Sequence, residues 1–191
     1  MPPGRRNVRK LALRPPLPRR SIVWFPAFPS DAPIETFRRQ HDALAAALPA
    51  HVTLVFPFPT NFTATQIASH VRRVVANWPT LPVSFRDVDV ILEEYVVLML
   101  RERSDAITAL HDKLYGGILS RHLRADIDYQ PHVALGRLSG NPSHADFASM
   151  YRAAVREVRG EWRCILRELA IVTWHPDGKI SIDKTVPLNF A

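Results

Sequence analysis

The sequence predicts an α+β fold with two antiparallel sheets, built as one domain from two similar lobes. Three observations carry this expectation. Apolar, β-branched runs alternate with segments whose apolar residues recur at helical spacing. The order of these segments in the first half is met again in the second. A nearly identical tetrapeptide, His51-Val52-Thr53-Leu54 and then His132-Val133-Ala134-Leu135, sits at the same place in each half.

The elements follow in order. Residues 21–28, SIVWFPAF, read as a strand that Pro26 ends or bends. Ser30 or Asp31 then caps a helix running to about Leu48, with Ile34, Phe37, Leu44 and Leu48 at helical spacing and Pro49 as its stop. Residues 51–58 form the next strand. Thr63 or Thr65 caps a second helix with Ile67, Val71, Val74 and Trp78 on one stripe, broken by Pro79 and Pro82. Residues 83–92 and 95–102 read as an antiparallel pair joined by a tight turn at Glu93-Glu94. In the second half Ser104 caps a helix burying Ile107, Leu110, Leu114 and Ile118. A loop, 125–131, leads into a strand over 132–138. Ser143 caps a helix carrying Phe147, Met150, Ala154 and Val158. Residues 162–175 are mostly strand, Asp177-Gly178 signals a hairpin, and 179–188 is the last strand.

Composition narrows the function classes. A chain of 191 residues, 47% hydrophobic and 23% charged, is an ordinary globular sequence. No apolar run approaches the roughly 18–20 residues of a membrane-spanning helix, so no membrane role is expected. Cys164 is the one cysteine, which excludes an intramolecular disulfide and a cysteine-based metal site and fits a reducing, cytoplasmic setting. The net charge of +7 lies in residues 1–20, where Arg5, Arg6, Arg9, Lys10, Arg14, Arg19 and Arg20 stand without an acid. Five prolines accompany them. Residues 1–20 therefore read as a basic, proline-rich disordered arm and 21–191 as the bilobal domain. Three readings of the arm stay open: an extension without a role, a segment that holds nucleic-acid phosphates, and, more weakly because it lacks serine, a targeting peptide.

Side chains alternate along a strand. His51 and Thr53 share one face, and Val52 and Leu54 share the other. His132 and Ala134 repeat the arrangement opposite Val133 and Leu135. One face of each strand suits a core and the other the wall of a cleft. If a pseudo-twofold axis relates the halves, the two histidines face each other. One neutral imidazole can then act as general base and one protonated imidazole as general acid. A hydroxyl two residues along can donate to an oxygen of the same substrate. Phosphodiester chemistry needs this set, and it needs no metal.

With these two motifs the sequence resembles the 2H phosphoesterase superfamily, specifically the bacterial 2′-5′ RNA ligase-like or RNA 2′,3′-cyclic phosphodiesterase family, whose signature is two His-x-Thr/Ser-x motifs. The resemblance implies two pseudosymmetric lobes, each an antiparallel sheet with helices packed outside, around a central cleft. It implies hydrolysis of 2′,3′-cyclic phosphate ends of RNA or small cyclic nucleotides to 2′-phosphates, with action on 2′-5′ RNA linkages in some members. It implies no cofactor and no metal. Carried over by position, His51 and His132 are the acid–base pair and Thr53 a phosphate-oxygen donor. The second-lobe histidine would activate water, and the first would protonate the leaving 3′ oxygen. Arg137 follows the second motif, where family members often carry a basic residue, although strict alternation turns it away unless the strand bends at Gly136. Tyr129, just before the second motif, is a candidate for stacking a base. The chain is expected to act as a monomer.

Ala134 departs from the pattern. It cannot donate a hydrogen bond, and loss of a preorganised donor can cost on the order of 10²–10³ in rate. The rival expectation is therefore an RNA- or nucleotide-binding protein with little or no turnover. The remaining histidines, His41, His70, His111, His122, His144 and His175, read as packing or surface residues. No glycine-rich phosphate loop, Walker lysine or Gly-x-Ser-x-Gly elbow is present, which argues against kinases, NTPases and α/β-hydrolases.

Overall fold

The structure, a computed structural model, describes residues 16–137 and 143–189. Along these residues the chain runs β1 (Arg19–Trp24), α1 (Ala32–His41), β2 (Val52–Pro59), α2 (Ala64–Val75), β3 (Leu81–Ile91), β4 (Tyr95–Glu102), α3 (Ser104–Leu114), β5 (His132–Arg137), α4 (His144–Glu157), β6 (Trp162–Leu166), β7 (Glu168–Trp174) and β8 (Ile180–Pro187). Short 3₁₀ turns occupy Ala43–Ala46 and Gly117–His122. The strands form two four-stranded antiparallel sheets, ordered β2-β1-β7-β8 and β5-β4-β3-β6. The expected α+β architecture of two matching lobes is what the chain builds.

α2 and α4 start where short polar side chains satisfy the first free N–H groups, whereas α1 starts after Asp31 with no side-chain cap bond. Thr63 accepts from Gln66 N while the Gln66 side chain accepts from Thr63 N, and Ser143 and Asp146 repeat this reciprocal cap at α4. α2 and α3 cover the first sheet, and α1 and α4 cover the second. The assignment crosses over. α1 is encoded in the first half but lies on β5, while α3 from the second half lies on β2. Behind both sheets runs one continuous core that includes Ile22, Phe37, Leu54, Leu98, Leu110, Val133 and Leu135. Trp24 of β1 meets Phe85 of β3 at 5.8 Å, and Phe28 packs edge-on to Phe85 and Trp162. The lobes are therefore not independent.

Several boundaries differ from expectation, each for a local reason. α1 stops at His41 because Asp42 turns extended and caps the following 3₁₀ turn, accepting from Leu44 N at 2.9 Å. Leu48 is still buried, but from the loop. Arg103, with φ of 66°, takes the cap position of α3, so Ser104 is its first helical residue. Ile118 lies in the 3₁₀ turn beyond that helix. The run 162–175 is two strands, with β6 pairing to β3 in one sheet and β7 to β1 in the other. A single apolar run cannot show that its two halves serve different sheets. The β3–β4 turn centres on Leu92 and Glu93, one residue earlier than expected, and both have φ above +50°. Arg19 and Arg20, read as the end of the arm, are the first residues of β1. Most of the arm lies outside the described residues.

Candidate active site

The two motif strands are the inner edges of their sheets, and β2 and β5 lie against each other. In β2, Thr53 stands opposite Val23 and Val52 opposite Trp24. In β5, His132 stands opposite Met99 and Ala134 opposite Val97. The alternation read from the sequence holds. Val52, Leu54, Val133 and Leu135 are fully buried on the helix side, while His51, Thr53, His132 and Ala134 are half-buried on the other.

Both histidines are held in the same way. His51 Nδ1 lies 2.8 Å from the carbonyl of Pro49, and His132 Nδ1 lies 2.5 Å from that of Gln130. A carbonyl oxygen only accepts, so each Nδ1 carries the proton and donates it. Each Nε2 is left as the nitrogen that can take or give a proton. Burial pulls both imidazoles below the ordinary value of 6.5. At His51 the bond to Pro49 opposes this, the Arg38 guanidinium adds to it, the Asp42 carboxylate opposes it, and a charge on His132 adds to it. At His132 only the Gln130 bond opposes it. The ring of Phe25 stands edge-on to His51, centroids 6.2 Å apart.

Arg137 is carried back to the cleft face. The register slips between Val97 and Val96, which pair with Ala134 and Gly136, so Leu135 is an extra residue in β5. Leu135 is buried, and a Cβ on Gly136 would also point to the helices, 2.8 Å from His41 Cβ. Arg137 then stands opposite Tyr95, on the side of Ala134 and His132. Its guanidinium lies 5.0 Å over the Tyr95 ring and 2.7 Å from Glu94 Oε2. This is the bend that strict alternation lacked.

Tyr129 is placed as a brace. Its hydroxyl donates to the carbonyl of Thr53 at 3.0 Å, and its ring stacks on His111 at 3.6 Å. His111 Nδ1 in turn donates to the carbonyl of Leu54 at 2.8 Å, and the Tyr115 hydroxyl accepts from Phe56 N at 2.9 Å. Three side chains of the second half thus satisfy the free edge of β2, where a further strand would otherwise pair. Burial raises the Tyr129 and Tyr115 hydroxyls and lowers His111 below 6.5, in each case favouring the neutral form. The helical spacing of His111 hid this role, because the contact is to backbone far away in sequence.

A second group also escaped the sequence. Arg38 is 1% exposed on α1 and pairs with Glu35 at 3.1 Å and Asp42 at 2.8 Å, just behind the segment that leads into His51. The available signal was an arginine within the apolar stripe of Ile34 and Phe37, with acids three residues before and four after it. Among the described residues, no group of three His, Cys, Asp or Glu side chains is placed to hold a metal ion, and no helix is long and apolar enough to cross a membrane.

Residues 26–178 match the sequence profile of the 2′-5′ RNA ligase superfamily. Proteins of Geobacillus thermodenitrificans and Geobacillus kaustophilus, provisionally named phosphoesterases, are 24% and 25% identical over 133 residues, which cover 69% of this chain and 76% of theirs. The crystal structure of E. coli LigT in apo form superposes with a TM-score of 0.54 at 15% identity, over 91% of this chain and 99% of that one. A phosphoesterase crystal structure gives 0.55 at 14% identity, over 90% and 98%. With two His-x-x-Leu strands meeting edge to edge between matching sheets, the chain belongs to the 2′-5′ RNA ligase superfamily, the 2H phosphoesterases.

Proposed function

We propose that this protein is a metal-independent phosphodiesterase that hydrolyses 2′,3′-cyclic phosphate ends of RNA or nucleotides to 2′-phosphates, by paired histidine acid–base catalysis. The observation that carries the reading is the matched anchoring of His51 and His132. Each donates Nδ1–H to a carbonyl two residues upstream, which leaves each Nε2 for proton transfer. Similarity to proteins named phosphoesterases supports the reaction class. E. coli LigT has been crystallised with phosphate and with 3′-AMP, which supports a phosphate-bearing nucleotide as the ligand of this fold.

In this reading neutral His132 takes a proton from water at Nε2 as the water oxygen attacks phosphorus. The bond from phosphorus to the 3′ oxygen breaks, and protonated His51 delivers its Nε2 proton to that oxygen. The product is a 2′-phosphate with a free 3′ hydroxyl. Exchange with solvent returns each imidazole to its starting state. The Thr53 hydroxyl donates to a non-bridging oxygen, and Arg137 supplies positive charge from the other lobe. Tyr129 serves by fixing the Thr53 carbonyl with its hydroxyl.

Ala134 favours a second reading, a nucleotide- or RNA-binding protein that turns over little, because the second lobe lacks a hydroxyl donor. One assay separates the two. A 2′,3′-cyclic-phosphate oligonucleotide is incubated with the protein in EDTA, alongside His51→Ala and His132→Ala. Turnover by the parent that both variants lose supports the enzyme. Activity abolished by EDTA overturns the metal-free mechanism, and binding without turnover establishes the second reading.

A further inference from the structure

The geometry points to Arg38 as a positioning residue that sets the orientation and tautomer of His51. The inference rests on the reading of His51 as a proton-transfer group. The guanidinium spans three acceptors. Nη2 donates to Asp42 Oδ2 at 2.8 Å and to the Leu48 carbonyl at 3.1 Å, Nε donates to Asp42 Oδ2 at 3.2 Å, and Nη1 donates to both oxygens of Glu35. Glu35 Oε1 then accepts from Ala50 N at 2.6 Å. The backbone is gripped at residues 48 and 50, on either side of Pro49. The Pro49 carbonyl is the one that receives His51 Nδ1–H.

The ion pairing itself is a weak reason for this cluster. A buried ion group costs desolvation, and apolar residues of similar volume often fill such a site equally well. What apolar residues cannot supply is a donor for the Leu48 carbonyl and an acceptor for Ala50 N, both bound by this cluster. Lysine could not replace Arg38 either, because its point charge lacks the planar fork that reaches three acceptors. Among the described residues the second lobe has no counterpart. His132 hangs from the carbonyl of Gln130 in the loop before β5, and its pKa is lowered chiefly by burial. The charged groups acting on His51 are Arg38, Asp42 and His132. The two histidines are thus matched in their anchors and unequal in what holds those anchors.

The test is nitrogen NMR of the imidazole rings in the full-length protein and in Arg38→Lys, with cyclic-phosphate hydrolysis measured beside it. The parent is expected to show both His51 and His132 as the Nδ1–H tautomer. Arg38→Lys is expected to give mixed tautomers at His51 and to leave His132 unchanged. Its kcat should fall on the order of tenfold to a hundredfold, as a small misplacement of a catalytic group does, with KM within about twofold of the parent. An unchanged His51 spectrum in a folded variant overturns the inference, as does an equal disturbance of both rings. If Arg38→Lys does not fold, Glu35→Gln is used, since its one amide oxygen cannot serve both Ala50 N and Arg38 as the two carboxylate oxygens do, and its NH2 faces the guanidinium, so the grip on Ala50 is loosened. The same selective change at His51 is expected, and its absence refutes the role. The spectra need no turnover, so they decide the inference even if the parent hydrolyses no phosphodiester, and the EDTA assay judges the function separately.

Discussion

Tyr129 donates its hydroxyl to the carbonyl of Thr53 across 3.0 Å, joining the loop before the second motif to the middle of the first. Tyr129→Phe keeps the ring on His111 and removes only this bond. The expected cost is about 1 kcal/mol of stability, read from the urea midpoint. Turnover should fall more than binding, because the strand carrying Thr53 and His51 is released at its edge while the cleft walls stay in place. A kcat equal to the parent's would show that His111 and Tyr115 hold β2 unaided.

Both motif imidazoles have pKa values below 6.5, chiefly through burial. The bell of kcat/KM against pH, which reports the free enzyme, should therefore lie on the acid side of neutrality. Its alkaline limb reports loss of the acid and should fall below about pH 7. Stability moves the opposite way. The unfolded chain binds these protons more readily than the folded one, so stability is full above 6.5 and declines as the pH drops through that value toward the lower folded pKa values. His111, lowered in the same way, adds to the decline. Melting temperature measured against pH checks this, and a flat curve between about pH 7 and 5 would contradict it.

Ala134 stands opposite Val97, half-buried on the face that carries His132. Ala134→Thr places a hydroxyl where Thr53 has one in the other lobe. Single donors of this kind are worth on the order of 10²–10³ in rate, and a rise of about tenfold in kcat is expected, since in the proposed mechanism Arg137 supplies part of the charge. A rate equal to or below the parent's would mean that another group fills the position.

Gly136 is where α1 and α4 press on β5. A Cβ there would lie 2.8 Å from His41 Cβ, 2.9 Å from Met150 Sδ and 3.1 Å from the His41 carbonyl. Met150 can rotate away, but the α1 backbone cannot. Gly136→Ala should cost about 1–3 kcal/mol, measured by chemical denaturation. Because α1 also carries Arg38, it should disturb His51 more than His132.

Much of this site is legible in the amino-acid sequence because strand alternation is a local rule. His51, Thr53, His132 and Ala134 share their faces as period-two reasoning requires, and Thr63 and Ser143 cap the helices that the apolar stripes imply. The brace at Tyr129 and His111 and the grip of Arg38 were not legible, since each joins a side chain to backbone brought near only by folding. Arg137 falls between these cases. Gly136 marked the spot for a bend, but only the pairing of Val97 with Ala134 and Val96 with Gly136 fixes where the extra residue goes. The division of 162–175 at Arg167 was hidden for a related reason, as both strands are apolar and differ only in the sheet they join.

The crossing of α1 onto β5 and of α3 onto β2 gives the halves the mutual dependence of two subunits that have exchanged arms. A nick in the β3–β4 turn, where Leu92 is 62% exposed, would yield two fragments, each lacking the helix that covers its own histidine strand. Neither fragment could bury that strand alone, yet together they would hold every contact that the unbroken chain makes. The site is in this sense an interface, formed within one polypeptide, and its two histidine-bearing strands lie together only because each lobe is finished by the other.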